Sequence, residues 1–252
     1  MRATRQKIRR TILIVSLLAF PVTLYYFSPY LIIRGSFAGI VTGSLLVFAG
    51  QFLTAFLFGR AFCGWICPAG SLQELVGEVN PRSVNKPIVN AIKYILWIPW
   101  LAMIVLGFIK AGGIHKLDFT YMTQHGISAA DPAGYIMYAF ITLLFLGGAL
   151  LFGRRAVCHS ICWMAPFMVL STKAKNLLRT PSLHLEAAPD ACVNCGLCNR
   201  KCTMGLDVAN MVLQDKMDSN ECILCGECVD TCNKQAIRYA FIRTKSKSPK
   251  HK

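Results

Sequence analysis

The chain has 252 residues, 54% of them hydrophobic and 15% charged, with twelve cysteines and a net charge of +15. Soluble domains average about 25% charged residues, so the composition argues against a fully soluble protein and against disorder. The basic excess suits nucleic acid or the cytoplasmic face of a membrane, and the cysteines exceed what membrane packing needs. A membrane protein that carries metal is the expectation.

Four apolar stretches follow in chain order: 11 to about 27, 39–59, about 91–109, and 132–153. Each approaches the 17–25 residues that span a hydrocarbon core of about 30 Å. Four buried helices of a large soluble core are the alternative, but no amphipathic helices exist to surround them. The first stretch contains Pro21 and follows a leader with five Lys or Arg in its first ten residues. No small-x-small cleavage site follows it, so it reads as a retained helix rather than a signal peptide.

Loop charges set the orientation. The leader, the loop with Arg60, Arg82 and Lys86, and the segment with Arg154, Arg155, Lys173, Lys175 and Arg179 are basic. The other loops hold only Arg34, and Lys110 with Lys116. Both termini are therefore expected in the cytoplasm, with the chain in the inner membrane. Residues 190–240 carry seven acids and five basic residues, so the positive excess lies in membrane-flanking loops and the tail. Anionic lipid explains it, and no basic stripe with interleaved aromatics suggests nucleic acid.

Leu57-Phe58-Gly59-Arg60-Ala61-Phe62-Cys63 leads into Cys67-Pro68. Leu151-Phe152-Gly153-Arg154-Arg155-Ala156-Val157-Cys158 leads into Cys162. With this repeat the membrane domain reads as a pair of helical hairpins related by duplication. Residues four apart share a helix face, so each Cys-x3-Cys pair is expected to aim both thiols at one spot. Cys63, Cys67, Cys158 and Cys162 then make a possible third metal centre at the membrane edge; redox-active thiol pairs, zinc and simple packing are the alternatives. The arginines read equally well as lipid-phosphate anchors.

Cys192-x2-Cys195-x2-Cys198-x3-Cys202 recurs thirty residues later as Cys222-x2-Cys225-x2-Cys228-x3-Cys232. This is the spacing of bacterial two-cluster ferredoxins, whose ligation is crossed. Cys192, Cys195, Cys198 and Cys232 are expected to hold one [4Fe–4S] cluster, and Cys222, Cys225, Cys228 and Cys202 the other. Gly196 and Gly226 let each loop close around its cluster. A disulfide framework is a poor reading in a reducing compartment, and zinc commonly uses two separated pairs.

With these motifs the chain resembles the membrane-bound polyferredoxins of the NapH, NosR and CcoG type. Gly59-Arg60-Ala61-Phe62-Cys63-Gly64-Trp65-Ile66-Cys67-Pro68 carries the resemblance most closely. The second copy departs from it, with Trp163 after Cys162 and proline only at Pro166. Thr203 and Asn233 stand where proline usually follows the fourth ferredoxin cysteine. The resemblance implies electron traffic between the quinone pool and partner redox subunits. An accessory role, as a copper reductase or an assembly or regulatory factor for a respiratory enzyme, is the second reading. A structural anchor for a soluble dehydrogenase is the third.

The histidines, His115, His125, His159, His184 and His251, include none at mid-membrane, so no haem relay crosses the bilayer. His159 reads best as a solvated loop residue. Lys93 is expected to snorkel from a helix end, and Gln51 to make a helix–helix hydrogen bond. Glu74 and Glu78 read as the wet face of a short interfacial helix over 72–79. No carboxylate pair, triad or phosphate loop emerges, so no catalytic residue is named, and an electron-transfer subunit is expected rather than a complete enzyme. The expected organisation is an α-helical membrane domain over 1–180, with four transmembrane helices as two duplicated hairpins. A double [4Fe–4S] ferredoxin-like α+β domain follows over 181–240, then a basic tail over 241–252.

Overall fold

The computed structural model describes residues 2–77 and 79–243, giving the backbone alone for residues 2 and 3. Glu78, His251 and all but the first residues of the expected tail lie outside the described residues. The chain opens with α1 (Arg2–Leu18) and α2 (Phe20–Thr23), extended by a 3-10 turn over Leu24–Phe27. Together they are long and apolar enough to cross a membrane, but they bend by 59° at the break. Pro21 sits in the first turn of α2. Its ring and missing N–H obstruct a continuous helix, so the expected first span is broken.

Helix α3 (Pro29–Phe37) is capped by Ser28, and the short strand β1 (Ile40–Thr42) follows. Thr42 then caps α4 (Gly43–Phe58), a 16-residue helix. At about 1.5 Å per residue it falls short of a 30 Å core, because its expected first residues go to β1. Next come α5 (Ala61–Trp65), α6 (Pro68–Val76) and the long α7 (Pro87–Lys110). Strand β2 (Lys116–Asp118) pairs parallel to β1, with Ile40 opposite Lys116. Helices α8 (Pro132–Phe152), α9 (Ala156–Ser160) and α10 (Met164–Leu178) complete the helical domain. Among the described residues, α7 and α8 have the length and hydropathy to cross a membrane, and the bent first pair would make a third crossing. Ile136, Leu143 and Leu151 of α8 all point outward, a surface suited to lipid rather than water.

The two Gly-Arg segments are built alike. Helices α4 and α8 each end at a glycine with positive φ, Gly59 at 55° and Gly153 at 121°. An arginine then starts each five-residue helix, Arg60 before α5 and Arg155 before α9. Helix α4 packs on α10, and α8 packs on α6, so the long helix of each copy contacts a helix of the other.

The C-terminal region pairs β3 (Ser182–Ala187) antiparallel with β4 (Ile237–Ile242), Leu185 opposite Tyr239. Between them lie α11 (Leu197–Lys201), α12 (Val208–Leu213) and α13 (Glu227–Thr231). Met204, Val212, Ile223 and Ile237 are buried here, in one apolar cluster with Phe48, Trp100 and Met168 of the helical domain. The two regions therefore share a core.

Candidate functional site

The two ferredoxin motifs fold alike. Asn194 and Leu224 take φ values of 50° and 51°, and Gly196 and Gly226 of 69° and 79°, so both loops curl the same way into α11 and α13. At Gly226 space also demands glycine, since an added Cβ would meet the Tyr239 hydroxyl at 2.5 Å. The fourth cysteines match as well. The Leu206 amide donates to Cys202 Sγ at 3.4 Å, and the Ala236 amide to Cys232 Sγ at 3.3 Å.

Cys192, Cys195, Cys198 and Cys232 line one cavity of about 210 Å³. Cys222, Cys225, Cys228 and Cys202 line a second. Each brings together three cysteines of one motif and the fourth of the other. Burial pushes the Cys222 thiol up to about 12 and the Cys202 thiol to about 11. Ionised sulfur in such surroundings is costly, and metal coordination removes that cost. Among the described residues no three His, Cys, Asp or Glu side chains converge on a point that would hold a single ion. Cavities walled by four thiols with amide donors to sulfur suit a cubane, whose ligands sit at separate corners.

Cys63, Cys67, Cys158 and Cys162 are all buried, each at most 9% exposed. The expectation that each pair shares one helix face is not met. Cys63 lies in α5 but Cys67 is the extended residue before α6; Cys158 lies in α9 and Cys162 beyond its end. The Cys67 and Cys162 amides reach back five residues, to the Phe62 and Val157 carbonyls, both at 3.0 Å. Pro68 cannot continue α5 but starts α6, so the chain turns at the second cysteine. The turns still gather the four thiols, and Cys67 lies within electrostatic reach of Cys63, Cys158 and Cys162. Burial raises the Cys63 and Cys67 thiols, and takes Cys162 up to about 12.

Two arginines flank this quartet. Arg60 lies near Cys63 and Cys162, and Arg155 near Cys158. Each is 1% exposed, and neither Nε has a hydrogen-bond partner among the described residues. Buried cationic donors beside four sulfurs fit an anionic iron–sulfur cluster held by the quartet.

The arginines also anchor two carboxylates that the sequence left in solvent or unremarked. Arg60 Nη1 donates to Glu221 at 2.7 Å, and Lys93 Nζ donates to the same carboxylate at 2.6 Å. Burial opposes the Glu221 charge, yet Arg60 and Lys93 prevail and hold it at about 2. Arg155 Nη2 donates to Glu74 at 2.6 Å, and Arg9 pairs with both Glu74 and Glu227. Glu74 is likewise held at about 2, where Arg155 and Arg9 outweigh its burial.

Four expectations are corrected here. Arg60 is not a lipid anchor, Lys93 does not snorkel, and Glu74 is not on a wet face. His159 is not a solvated loop residue: it is fully buried in α9, its Nδ1 2.6 Å from Asn90 Oδ1, and burial pushes it down to about 4. A charge inside a protein is tolerated only beside its partner, and these partners come from distant stretches of the chain. Gln51 does bridge helices, its Nε2 lying 3.3 Å from Met164 Sδ between α4 and α10.

A further feature is not foreshadowed by any motif. An apolar cavity of about 180 Å³ opens where the first helix breaks, lined by Phe20, Tyr25, Phe145 and Trp163. Cys67 and Cys162 belong to its wall. Pro21 is the available signal, since it marks the break beside which the cavity forms.

Comparison with known proteins agrees with this geometry. The 4Fe-4S binding domain matches twice, at residues 40–87 and 133–181, and the 4Fe-4S dicluster domain matches residues 191–237. An uncharacterised protein of Methanocaldococcus jannaschii is 26% identical over 83% of this chain and 82% of its own length. Escherichia coli YccM, whose name reads "Putative electron transport protein", is 24% identical over 81% of this chain and 57% of its own. The regulatory protein NosR of Pseudomonas aeruginosa is 25% identical over 71% of this chain and 24% of its own. No solved structure matches the chain. Iron–sulfur electron transfer in association with a membrane is therefore the class in which this protein falls. Within that class the chain carries 4Fe-4S domains and is similar to the membrane-associated ferredoxin-type proteins NosR, NirI and FixG.

Proposed function

We propose that the protein is a membrane-bound electron-transfer subunit passing electrons between the quinone pool and a partner redox enzyme. The apolar cavity walled by Cys67 and Cys162 carries this reading, because it sets a site for a lipid-soluble ring directly against a thiol quartet. The quartet holds an iron–sulfur centre; both matches to the 4Fe-4S binding domain fall on its segments, which supports the assignment. Two cubanes with crossed ligands occupy the ferredoxin cavities. Hydroquinone releases two electrons and two protons, and one-electron clusters take the electrons in sequence.

The membrane arrangement in this reading is four crossings as two duplicated hairpins, the first bent and α4 short. The asymmetry of Lys and Arg supports both termini and all three cysteine groups on the cytoplasmic side of the inner membrane.

The test uses the cluster-loaded protein in detergent and a short-chain quinol. The reading expects quinol to bleach cluster absorbance. Ile141→Trp, which fills the cavity from α8, should slow that bleaching by about tenfold or more while dithionite still reduces the clusters. Wild-type protein that dithionite bleaches and quinol does not would overturn it.

A further inference from the structure

The two ferredoxin motifs are placed very differently relative to the membrane domain. The Cys222–Cys225 loop lies directly on the Cys63–Cys67 turn. Trp65 Nε1 donates to the Leu224 carbonyl at 3.0 Å, and Gln6 Nε2 to the Cys225 carbonyl at 3.1 Å. Arg60 Nη1 donates to the Asn220 carbonyl at 3.1 Å. At Gly64, between the quartet cysteines Cys63 and Cys67, an added Cβ would stand 2.4 Å from the Ile223 carbonyl oxygen and 3.4 Å from Cys225 Cα. The backbones of the two cysteine loops are thus in contact. The Cys192–Cys198 loop receives none of these bonds. Cys195 is exposed there, and Val193 is 62% exposed.

Arg155 stands between the two inner groups. Its Nη1 donates to the Cys63 carbonyl at 2.9 Å, and its charge acts on both Cys158 and Cys225. Its Nε has no partner among the described residues.

We infer that the three centres form an ordered line. The quartet is innermost, the cluster of Cys222, Cys225, Cys228 and Cys202 is the obligatory middle station, and the cluster of Cys192, Cys195, Cys198 and Cys232 is the outer terminus. Arg155 is a positioning residue, a fixed positive charge shared by the first two centres. This rests on the cluster assignment of the proposed function. Each step moves one electron, so one centre is oxidised as the next is reduced, with no bond made or broken. Hydroquinone is the reductant at the inner end, giving its two electrons one at a time and its two protons to solvent, and a partner redox protein is the acceptor at the outer end; when electrons run toward quinone the same protons are taken up.

The experiment uses full-length, cluster-loaded protein in detergent. Mediated titration followed by paramagnetic resonance reads each cluster's potential without quinol. Arg155→Gln removes a positive charge, which favours the oxidised form of its neighbours. The Cys222 cluster should shift downward by about tenfold in its reduction equilibrium, about 59 mV for one electron. The Cys192 cluster should stay where it was, and Arg155→Lys should restore most of the shift. An equal shift of both clusters, or a shift of the Cys192 cluster alone, would overturn the order.

Quinol reduction gives the second arm. With Cys195→Ser the Cys222 cluster should still be reduced. With Cys225→Ser, in molecules whose Cys192 cluster remains detectable, that outer cluster should stay oxidised. Its normal reduction would refute the middle station. Wild-type protein inert to quinol would instead count against the quinone reading, and the titration arm would still decide the order.

Discussion

Arg60 and Glu221 lie 161 positions apart in the chain and 2.7 Å apart in the fold. Their pairing joins the first Gly-Arg-x2-Cys motif to the residue preceding Cys222. Arg5 with Asp230 and Arg9 with Glu227 add further ties from α1 to α13. The ferredoxin domain is therefore held against the membrane domain by buried and half-buried charge, at the place where their cysteine loops meet.

Glu221→Gln tests that tie. The substitution leaves Arg60 and Lys93 buried without their counter-charge, and breaking a buried pair costs about 3–5 kcal/mol. Thermal unfolding in detergent should fall clearly below wild type, with faster proteolysis between α10 and β3. An unchanged melting curve would show that the pair contributes little.

Gly64→Val tests backbone contact between the loops. Its side chain cannot fit beside the Ile223 carbonyl, so the Cys222 loop must move away. Iron content should hold while quinol-driven reduction of the ferredoxin clusters slows by about tenfold or more. Reduction at the wild-type rate would place the electron path elsewhere.

The Glu74 pairing gives a pH dependence. Its carboxyl is held at about 2, below its ordinary value of 4.5, by Arg155 and Arg9. Arg9 also serves Glu227. A depressed carboxyl contributes stability that is present above its unfolded value and lost as pH falls through its folded one. The difference in melting temperature between wild type and Glu74→Gln should be constant above about pH 5 and shrink steadily toward pH 2. A difference independent of pH across that window would contradict the pairing.

The 4Fe–4S class is legible because cysteine spacing is itself its signature. The 2-2-3 runs and the Gly-Arg-led Cys-x3-Cys copies need no partner to be recognised, and Gly196 and Gly226, expected to let the loops close, do so through positive φ. The helical domain was legible less completely. Hydropathy marks α7 and α8 well, but it cannot show that Pro21 breaks the first helix or that β1 takes the start of the second. The buried charges were not legible at all. Glu74, Lys93, His159 and Glu221 look like surface residues until the fold supplies counter-charges from remote segments. The i, i+4 rule that puts Cys63 and Cys67 on one helix face assumes a continuous helix, but α5 ends at Trp65 and Pro68 starts a new one.

Crossed ligation yields a separate prediction. Cys202 lines the cavity of Cys222, Cys225 and Cys228. Cys202→Ser should therefore damage that cluster and spare the one at Cys192, and Cys232→Ser should do the opposite. Paramagnetic resonance of the two reduced variants distinguishes the signals, and loss at the Cys192 cluster in Cys202→Ser would contradict the assignment.

In the proposed function the buried quartet holds a redox centre between the apolar cavity and the ferredoxin. Iron and sulfide per chain test it most directly, measured in wild type and in Cys63→Ser with Cys158→Ser. A cluster at the quartet gives about twelve iron atoms in the wild type and about eight in the variant, four for each cubane, with the ferredoxin clusters intact and reducible by dithionite but no longer by quinol. Equal iron content in the two proteins, with quinol reduction retained, would contradict it.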